Sequence, residues 1–310
     1  MLSRFKVGHY TDLKNGTGCT VILPPEENVS SASVRGASPG TRELALLAPE
    51  KKISQINALV LTGGSAFGLG CAHGVMEALA AQDIGYFTEY GIVPIVPAAV
   101  IFDKNIGNNL AFPTNENAHE ALKKAVFNNT QQGNVGAGTG ATAGKWMGIN
   151  SAMKSGLGIG NTEFEGIKVT AVTVVNSVGD VLDWSGKTIA GAIDGNNRFY
   201  GSDNNSLRWR KPGVGLAENT VLSAVMTNVR LSKQEAFFLA DRAHYGIARR
   251  IYPSHTNYDG DVTFLMSTPE VDANLDILSG LIVRTVEESI LNGVLNAKAL
   301  FGLKCAGDLK

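Results

Sequence analysis

Residues 211–230, KPGVGLAENTVLSAVMTNVR, carry the clearest indication of chemistry in this sequence. A segment containing Gly and Pro ends at Asn219-Thr220, and from Thr220 the chain becomes apolar and β-branched. A threonine hydroxyl is a weak nucleophile until a base removes its proton. If the Asn219–Thr220 bond were cut, Thr220 would gain a free α-amine with a pKa of roughly 7.7–8.0, close to working pH. We therefore hypothesise that Thr220 is a concealed N-terminal nucleophile whose own amine is the base.

Such a nucleophile needs a cation, proton carriers and an oxyanion donor, and the sequence offers a candidate for each. Lys145 could keep the amine neutral, because a nearby cation lowers an amine pKa. Asp259 and Asp261 are two residues apart, so an extended chain would place their side chains on one face. Asn176 ends a predicted strand and has an amide that could hold an oxyanion. Each residue alone is more simply explained as a turn or surface residue, and Thr220 alone as the start of a strand.

Two other motifs predict rival chemistry less well. Gly63–Gly68, GGSAFG, resembles a nucleophile elbow, but Phe67 stands where the second glycine of Gly-x-Ser-x-Gly is required. Ser65 is therefore interpreted as a helix cap. Gly138–Lys145, GTGATAGK, resembles a phosphate-binding loop, but Trp146 follows the lysine where a hydroxyl is needed.

Composition argues against several classes of partner and cofactor. The chain has 310 residues, a formal net charge of −1 and 18% charged residues, as in an ordinary globular protein. No strong field would attract nucleic acid or an anionic membrane. The short basic clusters Arg208–Lys211 and Arg249–Arg250 are interpreted as solvated surface. The loop His255–Asp261, HTNYDGD, has too few supporting ligands for a metal site, so no metal or other cofactor is predicted.

Cysteine usage and hydropathy predict a cytoplasmic protein. The three cysteines are far apart in the sequence and odd in number, which argues against a disulfide framework. The N-terminus lacks the apolar run of a signal peptide. The longest apolar stretch, Gly91–Phe102, is too short to span a bilayer and contains two prolines.

The elements that must position these residues form a mixed α/β pattern. Six runs rich in Val, Ile and Thr predict strands at Cys19–Leu23, Ala58–Thr62, Lys168–Asn176, Val181–Trp184, Thr220–Asn228 and Val262–Ser267. Helices are predicted at Ala66–Ala81 after Ser65, at Glu116–Phe127 after Asn115, from the Ser232/Glu235 capping box to Arg250, and at Asp276–Ala297. The strand–helix–strand unit over 220–267 would return Asp259 and Asp261 to the neighbourhood of Thr220.

Seven ordered segments resemble one family over most of the chain. The family is the N-terminal-nucleophile amide hydrolases that include L-aminopeptidase D-Ala-esterase/amidase, the β-peptidyl aminopeptidases and nylon-oligomer hydrolase. The segments are SPGTREL (38–44), LVLTGGSAFG (59–68), VPAAVIFD (96–103), GAGTGATAGK (136–145), VVNSVGD (174–180), NTVLSAVMTNVR (219–230) and HTNYDGD (255–261). Seven matches in order are specific, whereas any one of these Gly-containing motifs is not.

The resemblance implies a role for each candidate residue. Thr220 would be the nucleophile released by self-cleavage after Asn219, with Lys145 beside it and Asn176 holding the oxyanion. Asp259 and Asp261 would form the carboxylate pair. The β-peptidyl aminopeptidases have Ser and Glu at the positions of Asp259 and Asp261, so this chain resembles the nylon-hydrolase branch more closely. The substrate pocket would include Gly63, Gly64, Ser65 and Phe102.

The resemblance also implies a fold and an assembly. We expect an α/β (α+β) protein, an αββα sandwich of the L-aminopeptidase/ornithine acetyltransferase type, with residues 1–310 in one domain. Self-cleavage would give chains 1–219 and 220–310, and the cleaved protomers would form homo-oligomers, often tetramers. Substrates would be short peptides, amino-acid amides or nylon (6-aminohexanoate) oligomers.

Two positions depart from the family pattern and leave alternatives open. Some members have Tyr where this chain has Phe102, and Val221 replaces a second threonine after the nucleophile. Phe cannot donate a hydrogen bond, and losing one oxyanion donor costs ~10²–10³ in rate. The alternatives are a serine hydrolase that uses Ser65 and a non-catalytic small-molecule binding protein with a degenerate site.

Overall fold

The computed structural model describes residues 4–202 and 219–309. Its strands, β1 to β18 in chain order, are Lys6–Asp12, Thr17–Leu23, Val29–Val34, Thr41–Arg42, Leu59–Thr62, Tyr86–Thr88, Gly91–Val93, Ala98–Val100, Val126–Phe127, Thr142–Ala143, Met153–Lys154, Leu157–Phe164, Ile167–Asn176, Asp180–Leu182, Thr188–Ala190, Thr220–Val229, Ile251–Tyr252 and Val262–Val271. Its α-helices, α1 to α4, are Ala72–Ala80, Asn115–Lys123, Lys233–Arg250 and Leu275–Leu295. Short 3₁₀ helices span Leu44–Leu47, Ser65–Cys71, Gly136–Gly138, Lys145–Met147, Ile149–Ser151, Tyr200–Ser202 and Ala306–Leu309.

These elements form four layers. One sheet has the strand order β4-β8-β5-β2-β1-β9 and carries α1 and α2 on its outer face. The other has the order β12-β13-β16-β18-β3 and carries α3 and α4. A third apolar cluster lies between the two sheets. The predicted αββα sandwich is therefore confirmed, with an apolar core at each of its three layer boundaries.

Strand β16 is apolar along most of its length because both of its faces are buried. Val221, Val225 and Val229 pack towards α3 and α4, whereas Leu222 and Met226 pack between the two sheets. A strand covered on both faces is expected to lack polar alternation. Each buried Val or Leu side chain contributes about 1.5–3 kcal/mol, so β16 is firmly anchored at the centre of its sheet.

The unit β16–α3–β18 brings the start of β16 beside the loop that precedes β18. Strands β16 and β18 are parallel, with Leu222 opposite Val262. Helix α3 begins with the predicted capping box, in which Ser232 Oγ accepts from Glu235 N at 3.3 Å and Glu235 Oε2 accepts from Ser232 N at 2.7 Å. The crossover therefore places Asp261 next to the first residues of β16, as the sequence predicts.

The predicted helix over Ala66–Ala81 is wrong in its first part. A 3₁₀ helix spans Ser65–Cys71, and the α-helix begins only at Ala72. Ser65 caps neither helix, because the N-cap of the 3₁₀ helix is Gly64 and that of the α-helix is Cys71. Ser65 itself has a left-handed backbone, with φ 55°. A side chain at Gly68 would lie 1.8 Å from the Gly63 carbonyl oxygen, so the tight turn requires glycine there.

Three further predictions differ from the structure in detail. Helix α2 starts at Asn115 after a Thr114 capping box, and its predicted last residues form β9 instead. Arg250 is buried, with its Nε 3.1 Å from Glu287 Oε1, and is not the solvated residue predicted. The other basic cluster, Arg208–Lys211, lies outside the described residues.

Among the described helices, none has the length and apolar character to cross a membrane.

Candidate active site

Thr220 is the first residue of β16 and is almost completely buried, with 3% of its surface exposed. Its Oγ1 donates a hydrogen bond to the carbonyl oxygen of the preceding residue, Asn219, at 2.5 Å. Asn219 is completely buried and lies beside Asp259 in a short parallel bridge. The hydroxyl of Thr220 is therefore beside the carbonyl that it would have to attack.

Asn176 lies directly opposite Thr220 at the end of the neighbouring strand, β13. Its Oδ1 accepts from Lys145 Nζ at 2.7 Å and from Thr142 N at 3.2 Å. Its Nδ2 donates to the Phe102 carbonyl oxygen at 3.2 Å. These partners fix which edge of the amide presents the donor, so the oxyanion candidate from the sequence has one defined orientation.

Lys145 is buried with its ammonium inside this cluster. Its Nζ also donates to Thr142 O at 2.8 Å and to Thr142 Oγ1 at 3.0 Å. Burial lowers the pKa of Lys145 well below its usual value, and the charge of Asp259 acts in the opposite direction. Lys145 thus holds in place the side chain of Asn176, the residue paired with Thr220 across the two strands.

The two predicted carboxylates have different partners. Asp261 Oδ1 accepts from Val221 N at 2.7 Å, and its Oδ2 accepts from His255 Nδ1 at 2.7 Å. Asp259 Oδ2 accepts from Thr256 N at 2.8 Å and from Thr256 Oγ1 at 2.7 Å. Asp261 therefore holds the residue after the nucleophile, and Asp259 holds the loop beside it.

The Asp259 carboxyl group has a raised pKa. Burial, with the charge of Asp261 as the second cause, raises the pKa of Asp259 to about 6. A carboxyl group with a pKa in this range can accept and release a proton near neutral pH. Of the pair, Asp259 has the electrostatics of a proton carrier.

A cleft of about 260 Å³ opens onto Thr220. Its other lining residues are Ser38, Pro39, Gly40, Ser65, Ala66, Val100, Ile101 and Phe102. Two of the predicted pocket residues, Ser65 and Phe102, are among them. The other two predicted pocket residues, Gly63 and Gly64, are not among the lining residues. The N–H of Gly63 donates to Gly18 O at 2.9 Å, and the N–H of Gly64 donates to Asp103 Oδ1 at 2.7 Å.

Asp103 is a residue of the site for which the sequence predicted no role. It is buried, and its Oδ2 accepts from Thr17 Oγ1 at 2.8 Å while its Oδ1 holds Gly64 N. Burial raises the pKa of Asp103 to about 6. Asp103 thus fixes the turn that carries Ser65 into the cleft, and its position directly after Phe102 was the only signal for it.

Sequence reasoning missed the roles of two further titratable residues, the partly buried His255 and the buried Lys154. Burial alone would lower the pKa of His255, but the hydrogen bond and charge of Asp261 outweigh it and raise the pKa. Lys154 is completely buried and donates to Gly138 O at 3.2 Å and Ala141 O at 2.9 Å. His255 supports the carboxylate that holds β16, and Lys154 fixes the loop that leads to Lys145.

The arrangement contains the parts of an acyl-transfer site. A hydroxyl, an amide donor, a buried lysine and two carboxylates converge at the start of β16, and Thr220 lines a cleft. Within residues 4–202 and 219–309, no three His, Cys, Asp or Glu side chains are placed to hold a metal ion together. The chemistry that the cluster can perform is attack by a hydroxyl on a carbonyl group.

Comparison with known proteins gives a family and close relatives. Residues 3–306 match the model of the family described as peptidase family S58. An uncharacterised aminopeptidase of Mycobacterium leprae is 36% identical over 304 residues, which cover 88% of this chain and 78% of the relative. A 6-aminohexanoate-oligomer endohydrolase of an Agromyces strain is 32% identical over 268 residues, covering 85% of this chain and 72% of the relative.

A solved structure has the same fold. It is the L-aminopeptidase D-Ala-esterase/amidase from Ochrobactrum anthropi, described as a new variant of the Ntn hydrolase fold. The TM-score is 0.73 with 20% sequence identity, and the match covers 95% of this chain and 84% of the other. The likeness confirms the predicted type of αββα sandwich.

Proposed function

The chain belongs to peptidase family S58 and is a hydrolase of amide bonds, and from this premise we propose that Thr220 is its nucleophile, released by self-cleavage of the Asn219–Thr220 bond. One observation carries this proposal. Thr220 Oγ1 is 2.5 Å from the Asn219 carbonyl oxygen, and Thr220 is also one of the residues that line the cleft. The same atom can therefore reach the bond to be cut and, after cleavage, a bound substrate.

Self-cleavage is an acyl shift followed by hydrolysis. Thr220 Oγ1 attacks the carbonyl carbon of Asn219, and the hydroxyl proton passes to the Thr220 nitrogen as the C–N bond breaks. The product is an ester between Asn219 and the Thr220 oxygen. Water then hydrolyses the ester, which leaves a carboxylate on Asn219 and a free amine on Thr220.

Substrate hydrolysis repeats this chemistry on a bound amide. The free amine of Thr220 takes the hydroxyl proton, and the oxygen attacks the substrate carbonyl. Asn176 Nδ2 holds the oxyanion, and Lys145 keeps that amide in place through its bond to Oδ1. The leaving amine takes the proton, and water releases the acyl group from Thr220.

The proposed substrates are short peptides, amino-acid amides or 6-aminohexanoate oligomers, as the names of the relatives suggest. We further propose that chains 1–219 and 220–310 stay together in one domain and that the cleaved protomers assemble as a homo-oligomer, a tetramer. The free, buried thiols of Cys19, Cys71 and Cys305 support a reducing, cytoplasmic setting.

One observation favours a second candidate, a serine hydrolase that uses Ser65. Ser65 follows a strand, precedes a helical segment and has φ 55°, as in a strained nucleophile turn. His9, His73, His244 and His255, however, have polar partners other than Ser65, and no hydrogen bond between described residues joins Ser65 to a histidine. A serine nucleophile would lack its base.

Ser65→Ala separates the two candidates. We expect the variant to self-cleave and to hydrolyse amides within about threefold of the wild-type kcat/KM, a change of less than ~0.7 kcal/mol in the barrier. The measurement is release of new amines from a panel of amino-acid p-nitroanilides and 6-aminohexanoate oligomers. Loss of all activity in Ser65→Ala, with activity kept in Thr220→Ala, would establish the serine candidate instead.

A further inference from the structure

The carbonyl of Asn219 is bound by the backbone of the loop before β18. Gly260 N donates to Asn219 O at 2.6 Å, and Asn219 N donates to Tyr258 O at 2.7 Å. The pairing is the parallel bridge between Asn219 and Asp259. The N–H of Gly260 therefore points at the oxygen on which negative charge would develop if the Asn219 carbonyl were attacked.

Only glycine allows this approach. A Cβ added to residue 260 would lie 2.5 Å from Ser38 O and 2.8 Å from the Thr220 hydroxyl oxygen. Both distances are too short for a carbon atom, and the first involves backbone that has little freedom to move. The absence of a side chain at Gly260 thus lets one backbone amide approach the carbonyl oxygen and the nucleophile together.

The residues on both sides of Gly260 are fixed by their own hydrogen bonds. Asp259 O accepts from Ser38 N at 2.9 Å, and Asp261 O accepts from Arg35 N at 3.1 Å. The Asp259 and Asp261 side chains are also bound, to Thr256 and to Val221 and His255. A donor fixed before the reaction stabilises developing charge without reorganisation, which is what makes such donors effective.

Before cleavage, no hydrogen bond between described residues joins Asn176 Nδ2 to the Asn219 carbonyl oxygen, and one of its two N–H groups is already bound. Its Nδ2 donates to the Phe102 carbonyl oxygen at 3.2 Å, and the side chain of Phe102 has no donor of its own. The donor that already contacts the scissile carbonyl is the Gly260 N–H.

We propose that the backbone N–H of Gly260 is the oxyanion donor of self-cleavage; this rests on the proposed function of Thr220. When Thr220 Oγ1 bonds to the Asn219 carbon, the electron pair of the C=O bond moves to Asn219 O, where the Gly260 N–H stabilises it. When the C=O bond re-forms, the C–N bond breaks and the Thr220 nitrogen takes the hydroxyl proton. The aspartates on either side of Gly260 act as positioning residues that hold this amide.

An ester in place of the Gly260 amide tests the proposal in the full-length chain. Cell-free translation with glycolic acid at position 260 replaces the N–H by an oxygen and adds no bulk. The matched control is glyceric acid at position 38, which removes the Ser38 N–Asp259 O bond from the same loop but leaves the scissile carbonyl untouched. The readout is the rate at which intact chain becomes two fragments on a denaturing gel.

We expect the Gly260 ester to slow self-cleavage about 10²-fold, within the range for loss of one oxyanion donor, and the Ser38 ester to slow it much less. Equal rates for the Gly260 ester and wild type would overturn the inference while leaving self-cleavage intact. A wild-type chain that never cleaves would instead refute the proposed function.

Circular dichroism of each ester in a Thr220→Ala background, which stays uncut, shows whether the chain folds. Should the Gly260 ester not fold, Gly260→Ala is the second test, because its methyl group displaces the amide from the carbonyl. That alanine variant is expected to cleave slowly, and cleavage at the wild-type rate would overturn the inference.

Discussion

Replacing Thr220 by alanine is expected to abolish both self-cleavage and amide hydrolysis. The substitution removes the hydroxyl that contacts the Asn219 carbonyl oxygen, from a residue that lines the cleft. Removal of a catalytic nucleophile costs roughly 10⁶ in kcat, so residual turnover should not exceed the buffer blank. The measurements are a denaturing gel and amine release from the substrate panel.

Two variants serve as controls for Thr220→Ala. Thr220→Ser keeps the hydroxyl and should still cleave itself and turn over substrate. Thr227→Ala makes the same substitution at another buried position of β16, so it should lower stability without removing activity. Turnover by Thr220→Ala at the wild-type rate would contradict the assignment of the nucleophile.

Lys145→Met is expected to give the second largest loss, about 10³-fold in kcat, within the ~10²–10⁴ range for groups that support proton transfer. Methionine has a similar length but cannot donate, so Asn176 Oδ1 loses its 2.7 Å bond to Nζ. The amide would then no longer be held for the oxyanion. KM should change much less than kcat, because Lys145 does not line the cleft.

The pH dependence of kcat in Lys145→Met distinguishes a catalytic effect from a loss of stability, because destabilisation alone would not shift the kcat profile along the pH axis. Positive charge on Lys145 lowers the pKa of the Thr220 amine to the extent that this buried lysine is protonated, so its removal should raise that pKa. The acid limb of the kcat profile should accordingly shift to higher pH. Lys168→Met, an exposed lysine on the same strand as Asn176, is the control and should behave as wild type. An unchanged kcat in Lys145→Met would remove Lys145 from the mechanism.

Much of the scaffold around the site follows from local sequence rules. The Ser232/Glu235 capping box fixed the start of α3, and the apolar run after Thr220 indicated a central strand. Parallel pairing of β16 with β18 then places Asp261 beside Val221. These features depend on patterns within one segment or on a single crossover, which a sequence displays directly.

Other parts depend on contacts between distant segments and on backbone atoms, which carry no residue-specific signal. The bond from Lys145 to Asn176 joins a short 3₁₀ helix to the end of β13, and nothing in the sequence indicates that these two segments are in contact. The Gly260 N–H is a backbone donor, so the sequence DGD predicted a carboxylate pair or a turn, but no oxyanion donor. Ser65 looked like a cap, but its left-handed backbone follows from the tight glycine turn beneath it.

Intact mass spectrometry of the purified wild-type protein, with N-terminal sequencing of the smaller chain, tests the central claim most directly. We predict two masses that correspond to residues 1–219 and 220–310, with the smaller chain beginning Thr-Val-Leu-Ser. A single uncut chain of 32.7 kDa that hydrolyses amides at full rate would contradict the claim that Thr220 must become an N-terminus before it can act.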